Sequence, residues 1–172
     1  MEIQNESPAD ELAVGLILER AFDGPAEAAL VADLRKREDV FSLVAVEDGE
    51  VAGHILFSPV QLLRDGAVVA EGYGLAPMAV TEDRRRSGIG EALVEAGLEQ
   101  LLENRCEFVV VLGHPDYYPR FGFQPASERR VRCQYDGIPD EAFMILVLDE
   151  ARFSEASGVV CYCEEFSRHF PA

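Results

Sequence analysis

Hydrophobic and polar positions change their spacing several times along this chain, and each change predicts an element. After a short extended start over Glu2 to Asn5, "SPADELAVGLILERAF" carries apolar residues at Leu12, Leu16 and Leu18 with Pro8 just inside, which predicts a helix from Pro8 to Phe22. "GPAEAALVADLRKR" predicts a second helix, with Leu30, Val31 and Leu34 on one side. From Val40 to Val80 the spacing becomes β-like, and "EDGE" and "RDGA" interrupt it with Asp-Gly turn signals, so a three-stranded antiparallel meander is expected. Gly72, Gly74 and Pro77 make the third strand irregular. Because proline cannot donate to a ladder, a bulge or a splayed edge is expected near that strand's end.

The 3.6-residue spacing returns in "GIGEALVEAGLEQLLENR", where Gly90, Leu93, Val94, Gly97, Leu98, Leu101 and Leu102 share one face and Glu91, Glu95, Glu99 and Glu103 line the other. "EFVVVLG" then runs continuously apolar for a strand's length, the pattern of a strand buried on both faces and paired in parallel. Strand, helix and strand here read as a right-handed βαβ crossover. A turn-rich or helical "HPDYYPR", a strand "FGFQPA", a loop through "CQYDGIPDE", a strand "AFMILVLD" and a tail "GVVCYCEEFSRHF" that adds an edge strand complete the chain.

Length and composition bound these elements: 172 residues, 48% of them hydrophobic, suit a single domain over residues 1–172 with its own core, the last stretch from about 150 packed on it. The formal net charge of −17 repels phosphate, which argues against nucleic acid or an anionic membrane as a partner. "MEIQNESPAD" lacks the basic start and apolar stretch of a signal peptide, and no apolar run approaches the roughly 20 residues that span a bilayer, so a cytoplasmic location is expected. Cys106, Cys133, Cys161 and Cys163 form no CxxC pair, so neither a metal site nor a disulfide is expected.

Against that acidic background, "AVTEDRRRSGIGEALVEAGLEQL" places Arg84, Arg85 and Arg86 between the broken strand and the amphipathic helix. Ser87 reads as the helix N-cap, while Gly88 and Gly90 strip side chains from the first turn, where unpaired N–H groups and the positive end of the helix dipole favour a phosphate. The run lacks the G-x-x-x-x-G-K-[ST] of a P-loop, and Leu93 stands where a dinucleotide fingerprint needs Gly or Ala. Taken alone, the three arginines can equally be a solvated charge run and the glycines a tight turn.

The stretch also resembles the acetyl-CoA-binding motif of the GNAT superfamily of N-acetyltransferases, Q/R-x-x-G-x-G/A, here Arg85, Gly88 and Gly90. "VVVLGHPDYYPRFGFQPA" is similar to the family segment in which a tyrosine precedes the Gly of a Gly-Phe pair by four residues, here Tyr118, Gly122 and Phe123. "GHILFSPV", "LAPMAV", "DEAFMILVL" and "GVVCYCEEF" extend the likeness to one bacterial branch of GNAT N-acetyltransferases.

The resemblance implies an α/β (α+β) GNAT fold: a mixed twisted sheet of about six to seven strands flanked by about four helices, with splayed central parallel strands. It implies that backbone groups of Met78, Ala79 and Val80 bond the acetyl-pantetheine arm and polarise the thioester carbonyl. It further implies that the N–H groups of Arg86, Ser87, Gly88, Ile89 and Gly90 hold the pyrophosphate, with charge from Arg85 or Arg86. Tyr118 becomes the candidate acid for the departing thiolate, and Tyr117 a packing or substrate-wall residue. The base that several family members carry on the splayed strand has no counterpart, since "GYGLAPM" contains no ionisable residue except Tyr73; Glu71, Glu82, His54 and Asp116 stay open, with His54 read as structural. The expected activity is acetyl transfer from acetyl-CoA to a primary amine, for which the acidic surface suits a cationic acceptor. An acyl-CoA-binding sensor without turnover and a phosphate-binding module are the competing readings. Acceptor identity and oligomeric state are not encoded in the motifs, and a homodimer is one open reading.

Overall fold

The computed structural model describes residues 1–154 and 156–171, among which nine strands and five α-helices occur. By internal contacts the chain divides into two compact units, the first made of Met1–Phe57, Ala76–Gln100 and Glu165–Pro171, the second of Ser58–Leu75 and Leu101–Glu164. Strands β3 (Glu50–Arg64) and β4 (Ala67–Val80) and helix α3 (Ile89–Glu103) contribute residues to both. Both Asp-Gly turns form as read. Asp48 and Gly49 have φ of 55° and 81°, and Asp65 and Gly66 have φ of 53° and 78°, the paired positive values that match the twist of a hairpin.

In the first unit, β1 (Glu2–Asn5) and β2 (Phe41–Glu47) pair antiparallel, and β2 pairs antiparallel with β3. Helix α1 (Glu11–Ala21) packs on α2 (Ala26–Leu34). Leu30, Val31 and Leu34 are buried as expected, but α1 begins after Pro8, because the Ser7 hydroxyl and N–H both donate to Asp10 and hold a turn there. The buried stripe of α1 is Val14, Ile17 and Leu18; Leu12 and Leu16 are 78% and 46% exposed. Leu12 and Leu16 are one turn apart on the opposite side, so the sequence spacing admitted two faces and the tertiary packing selected one.

Helix α3 lies against β3 through two glycines. A Cβ on Gly53 would come 2.8 Å from Ile89 Cγ2 and 3.1 Å from Leu93 Cδ1, and one on Gly97 would come 2.2 Å from the Phe57 ring. Side chains alternate along a strand. Gly53 and Phe57 therefore face α3, while His54 faces away from it, toward Glu6 and Arg35. The acidic face of α3 is exposed as predicted, but Leu102, assigned to its apolar face, is 57% exposed. Helix α5 (Glu164–His169) ties the tail back to this unit, with His169 Nε2 2.7 Å from Asp33 and Arg37 3.5 Å from Glu165.

In the second unit, β5 (Phe108–Leu112) is the buried strand its apolar run predicted. It pairs in parallel with Tyr73–Leu75 of β4 and antiparallel with β8 (Phe143–Val147), so strand, helix and strand do form a parallel crossover. A Cβ on Gly72 would lie 2.3 Å from the Phe108 carbonyl oxygen, which explains a glycine there. The remaining strands are short. β6 is only Gln124–Pro125, because the expected strand "FGFQPA" opens on a 3-10 turn over Tyr118–Phe121 and a left-handed Gly122 with φ 94°. β7 (Val131–Cys133) pairs in parallel with β9 (Gly158–Cys161), which also pairs antiparallel with β3, so the tail strand is flanked on both sides and is not an edge. Helix α4 (Glu150–Phe153) sends Phe153 into a core with Phe108, Val110, Ile145 and Val160. The architecture is the mixed α/β sheet with flanking helices that was expected; the additional strands and helix are these short pieces.

Candidate active site

The glycine turn lies in the first unit, where β4 gives way to α3. The parallel register with β5 covers Tyr73–Leu75, and β4 itself continues to Val80. Pro77 sits inside this continuation with a cis Ala76–Pro77 peptide. Ala79 is buried, with its carbonyl oxygen 3.3 Å from where a Gly53 Cβ would stand, and Met78 and Val80 are half-buried. Thr81 N–H then donates to Ala52 C=O at 2.9 Å, which fixes the strand's exit.

A 3-10 turn over Glu82–Arg84 follows, after which the backbone alternates between hands. Arg85 is extended, Arg86 is left-handed at φ 64°, and Gly88 is left-handed at φ 90°. An arginine in the left-handed region costs roughly 1–2 kcal/mol and persists only where the surrounding structure imposes it. A Cβ at Gly88 would meet nothing within 4 Å, so glycine is needed there for its φ and the space above it is open. Gly88 C=O accepts from Ala92 N–H at 3.0 Å, which makes Gly88 the residue that opens α3. Ser87, expected as the N-cap, instead donates its hydroxyl to Arg84 C=O at 2.6 Å, one residue before the position that opens the helix. The first amides of the helix have no carbonyl one turn back within it.

The three arginines separate by role. Arg84 pairs with Glu47 at the end of β2, and its guanidinium lies 3.5 Å from Asp48 and 3.7 Å from Asp83. Arg85 and Arg86 are exposed and carry no ion pair among the described residues. Two cations thus stand beside the open amides of a 15-residue helix in a chain of net charge −17. That arrangement fits an anionic, phosphate-bearing ligand.

Tyr118 lies in the second unit. Past β5, Gly113 N–H donates to Ala142 C=O at 2.9 Å, and the chain turns through His114, whose carbonyl accepts from Tyr117 N–H at 3.0 Å. The Tyr118 ring packs edge-on to Tyr117 at 5.1 Å and to Phe123 at 5.7 Å. The ring lies so close to Gly113 that a Cβ there would stand 2.2 Å from Cε2. Burial first, and the neighbouring Tyr117 second, push the Tyr118 phenol well above its ordinary value. The group therefore stays protonated at neutral pH and acts as a donor. Tyr117 stacks under the Arg120 guanidinium, 4.7 Å from the ring centre, in keeping with its reading as a packing residue.

Of the residues left open as a base, Glu71, Glu82 and Asp116 are exposed. His54 is fully buried, with Nε2 3.3 Å from Glu6 Oε2. Burial pushes its imidazole below the ordinary value, against the opposing pull of Glu6. Glu6 also accepts from Ser42 and from Arg35, so His54 belongs to a structural cluster, as read from its apolar strand. Among the described residues no group of three or more His, Cys, Asp or Glu side chains is arranged to hold a metal. None of the described helices is long and apolar enough to cross a membrane.

Sequence reading missed Gly113, Gly53 and Glu47. The glycine after "VVVL" was the available signal for the first, while the other two act through partners distant in sequence.

The acetyltransferase (GNAT) family model matches residues 12–123, a span that contains the glycine turn, Tyr118 and the Gly-Phe pair. The chain is 39% identical over 172 residues to the uncharacterized N-acetyltransferase YhbS of Escherichia coli (strain K12), covering 98% of this chain and 99% of that protein. The crystal structure of YhbS from Escherichia coli in complex with CoA aligns with TM-score 0.88 and 38% identity, over 97% of this chain and 92% of that one. A GNAT family acetyltransferase from Brucella melitensis in complex with acetyl-CoA aligns with TM-score 0.76 and 34% identity, over 96% and 97% of the two chains. A family match through the glycine turn and likeness along nearly the whole length lead to one conclusion: this chain belongs to the acetyltransferase (GNAT) family.

Proposed function

We propose that the chain, acting as one catalytic domain in the cytoplasm, transfers an acetyl group from acetyl-CoA to a primary amine by direct attack in a ternary complex. The observation that carries this reading is the Arg85–Gly90 turn, where two exposed arginines precede the unpartnered first amides of α3. The CoA and acetyl-CoA bound to the two solved relatives support the donor. In this assignment the N–H groups of Arg86, Ser87, Gly88, Ile89 and Gly90 take the pyrophosphate, with Arg85 and Arg86 adding charge. Backbone groups of Met78, Ala79 and Val80 take the pantetheine arm and the thioester oxygen.

The amine nitrogen attacks the thioester carbonyl carbon, and a backbone N–H in Met78–Val80 stabilises the oxyanion that forms. As the C–S bond breaks, Tyr118 O–H donates its proton to sulfur, and the proton lost from the amine nitrogen returns the tyrosine to its neutral form through solvent. Burial makes the phenol a weaker acid than free tyrosine, so the support for this role is the place of Tyr118 in the family segment, four residues before Gly122. No side chain is assigned as base: His54 is held by Glu6, and the other carboxylates named for the role are exposed. The amine is deprotonated by water before attack. The acceptor is an amine of cationic character, for which the acidic surface is suited.

Calorimetric titration with CoA tests the donor site, and no binding at millimolar CoA would sink the reading. Thiol release from acetyl-CoA across a panel of small and peptide amines tests turnover, with Tyr118→Phe expected to lower it well over tenfold. Unchanged turnover in that variant would remove Tyr118 from the mechanism. A second reading, an acyl-CoA-binding sensor, is motivated by the burial of His54 in its cluster on β3 and by a stretch Gly72–Met78 of β4 whose only ionisable residue is Tyr73. CoA binding without thiol release for any amine would favour it.

A further inference from the structure

We infer that Glu47 is a positioning residue for the phosphate-binding turn, acting through Arg84. The inference rests on the donor site proposed above and extends it to a residue outside the motif.

Ile89, 1% exposed, anchors the helix end of the turn, and the stretch before it has few ties of its own. Its left-handed residues, Arg86 and Gly88, are exposed, and its local side-chain bond, from the Ser87 hydroxyl, ends on the Arg84 carbonyl. What holds Arg84 therefore holds Ser87 and the path to Gly88. The Arg84 side chain is only 26% exposed and is clamped by Glu47, a residue 37 positions earlier at the end of β2. Asp48 and Asp83 add weaker contacts from groups that are 84% and 77% exposed, where water screens them. One strand over, Thr81 N–H on Ala52 C=O fixes the same segment upstream. The turn is thus hung between a backbone bond at Thr81 and an ion pair at Arg84, and both reach to the β2–β3 hairpin. Pairing with Glu47 also neutralises Arg84, leaving Arg85 and Arg86 as the exposed cations of the run.

This role and a simple charge effect have opposite signs. Glu47→Gln removes a negative charge near a site for anions and frees a third arginine, so charge alone would tighten phosphate binding. If Glu47 holds the turn in shape, the same substitution weakens it. The test is calorimetric titration of the full chain with CoA and, separately, displacement by pantetheine, which lacks the pyrophosphate. We expect Glu47→Gln to raise the CoA Kd about tenfold and to leave the pantetheine Kd within about twofold, since only the phosphate contacts depend on the turn. The Glu47→Gln/Arg84→Gln double variant is expected to bind CoA no more weakly than Arg84→Gln alone, because one clamp is lost in both. Unchanged or tighter CoA binding in Glu47→Gln, equal weakening for the two probes, or additive losses in the double variant would each overturn the inference. Failure of the wild-type chain to bind CoA would overturn the donor reading itself.

Discussion

Replacing Gly113 with alanine puts a methyl group into the volume that the Tyr118 ring occupies. The added carbon would stand 2.2 Å from Cε2, 2.8 Å from Cδ2 and 3.3 Å from Cζ. Carbon atoms in contact prefer about 3.5–4.0 Å, so the ring must retreat by more than an ångström. Tyr117 at 5.1 Å and Phe123 at 5.7 Å flank it, and both must give way for it to move. Overpacking of this kind costs about 1–3 kcal/mol, which for a chain of this size lowers Tm by a few degrees to about 10 °C. The hydroxyl moves with the ring, and a misplacement of about 1 Å can cost on the order of a hundredfold in rate. Thiol release from acetyl-CoA, with an amine found in the panel, should therefore fall between about tenfold and a hundredfold, while the CoA Kd holds within about twofold. The double variant Gly113→Ala/Tyr118→Phe should be no slower than Tyr118→Phe, because both act through one hydroxyl. Turnover retained at wild-type level in a Gly113→Ala protein of lowered Tm would refute the reasoning, since it would show that the hydroxyl can be displaced without consequence.

Burial alone would push the Glu6 carboxyl up, but hydrogen bonds from His54, Arg35 and Ser42 bring it from 4.5 down to about 2. A depressed carboxyl contributes stability above pH 4.5 that is lost as pH falls toward 2, here on the order of 3 kcal/mol. Buried His54, held below its ordinary 6.5, adds a loss of the same sign below that pH, because the unfolded chain takes up the proton first. Urea midpoints from pH 7 to pH 3 should fall more steeply in the wild type than in Glu6→Gln, and equal slopes would dismiss the cluster as a pH-dependent element. Gly97→Val should cost about 1–3 kcal/mol or more of stability through collision with the Phe57 ring and so lower Tm; an unchanged thermal scan would contradict the close approach of α3 to β3. Arg85→Ala/Arg86→Ala should weaken CoA binding and flatten its dependence on salt in calorimetric titrations, whereas Arg84→Ala should leave the salt dependence nearly intact, since Arg84 is already neutralised by Glu47.

Much of the molecule was legible because its signals are local. Both hairpins follow from Asp-Gly pairs whose backbone accepts positive φ, and the amphipathic α3 follows from the spacing of Leu93, Val94, Gly97 and Leu101. The glycine turn is legible for the same reason, since arginines, glycines and a helix start are neighbours in the chain. Errors fell where a local pattern had two satisfactory outcomes. Leu12 and Leu16 offered α1 one stripe and Val14, Ile17 and Leu18 another; Ser87 had a backbone carbonyl within reach as well as the helix amides; "FGFQPA" could extend or turn.

By itself the sequence determined the order of elements, the position of the glycine turn and the family, because each depends on residues within a few positions of one another. Only the tertiary structure decided that Arg84 is neutralised while Arg85 and Arg86 are exposed, that His54 is closed off by Glu6, and that Gly113 leaves no room for a side chain beside the Tyr118 ring. These are contacts between residues brought together by strand pairing and packing, and no period or spacing in the chain encodes which carboxylate will stand beside which cation.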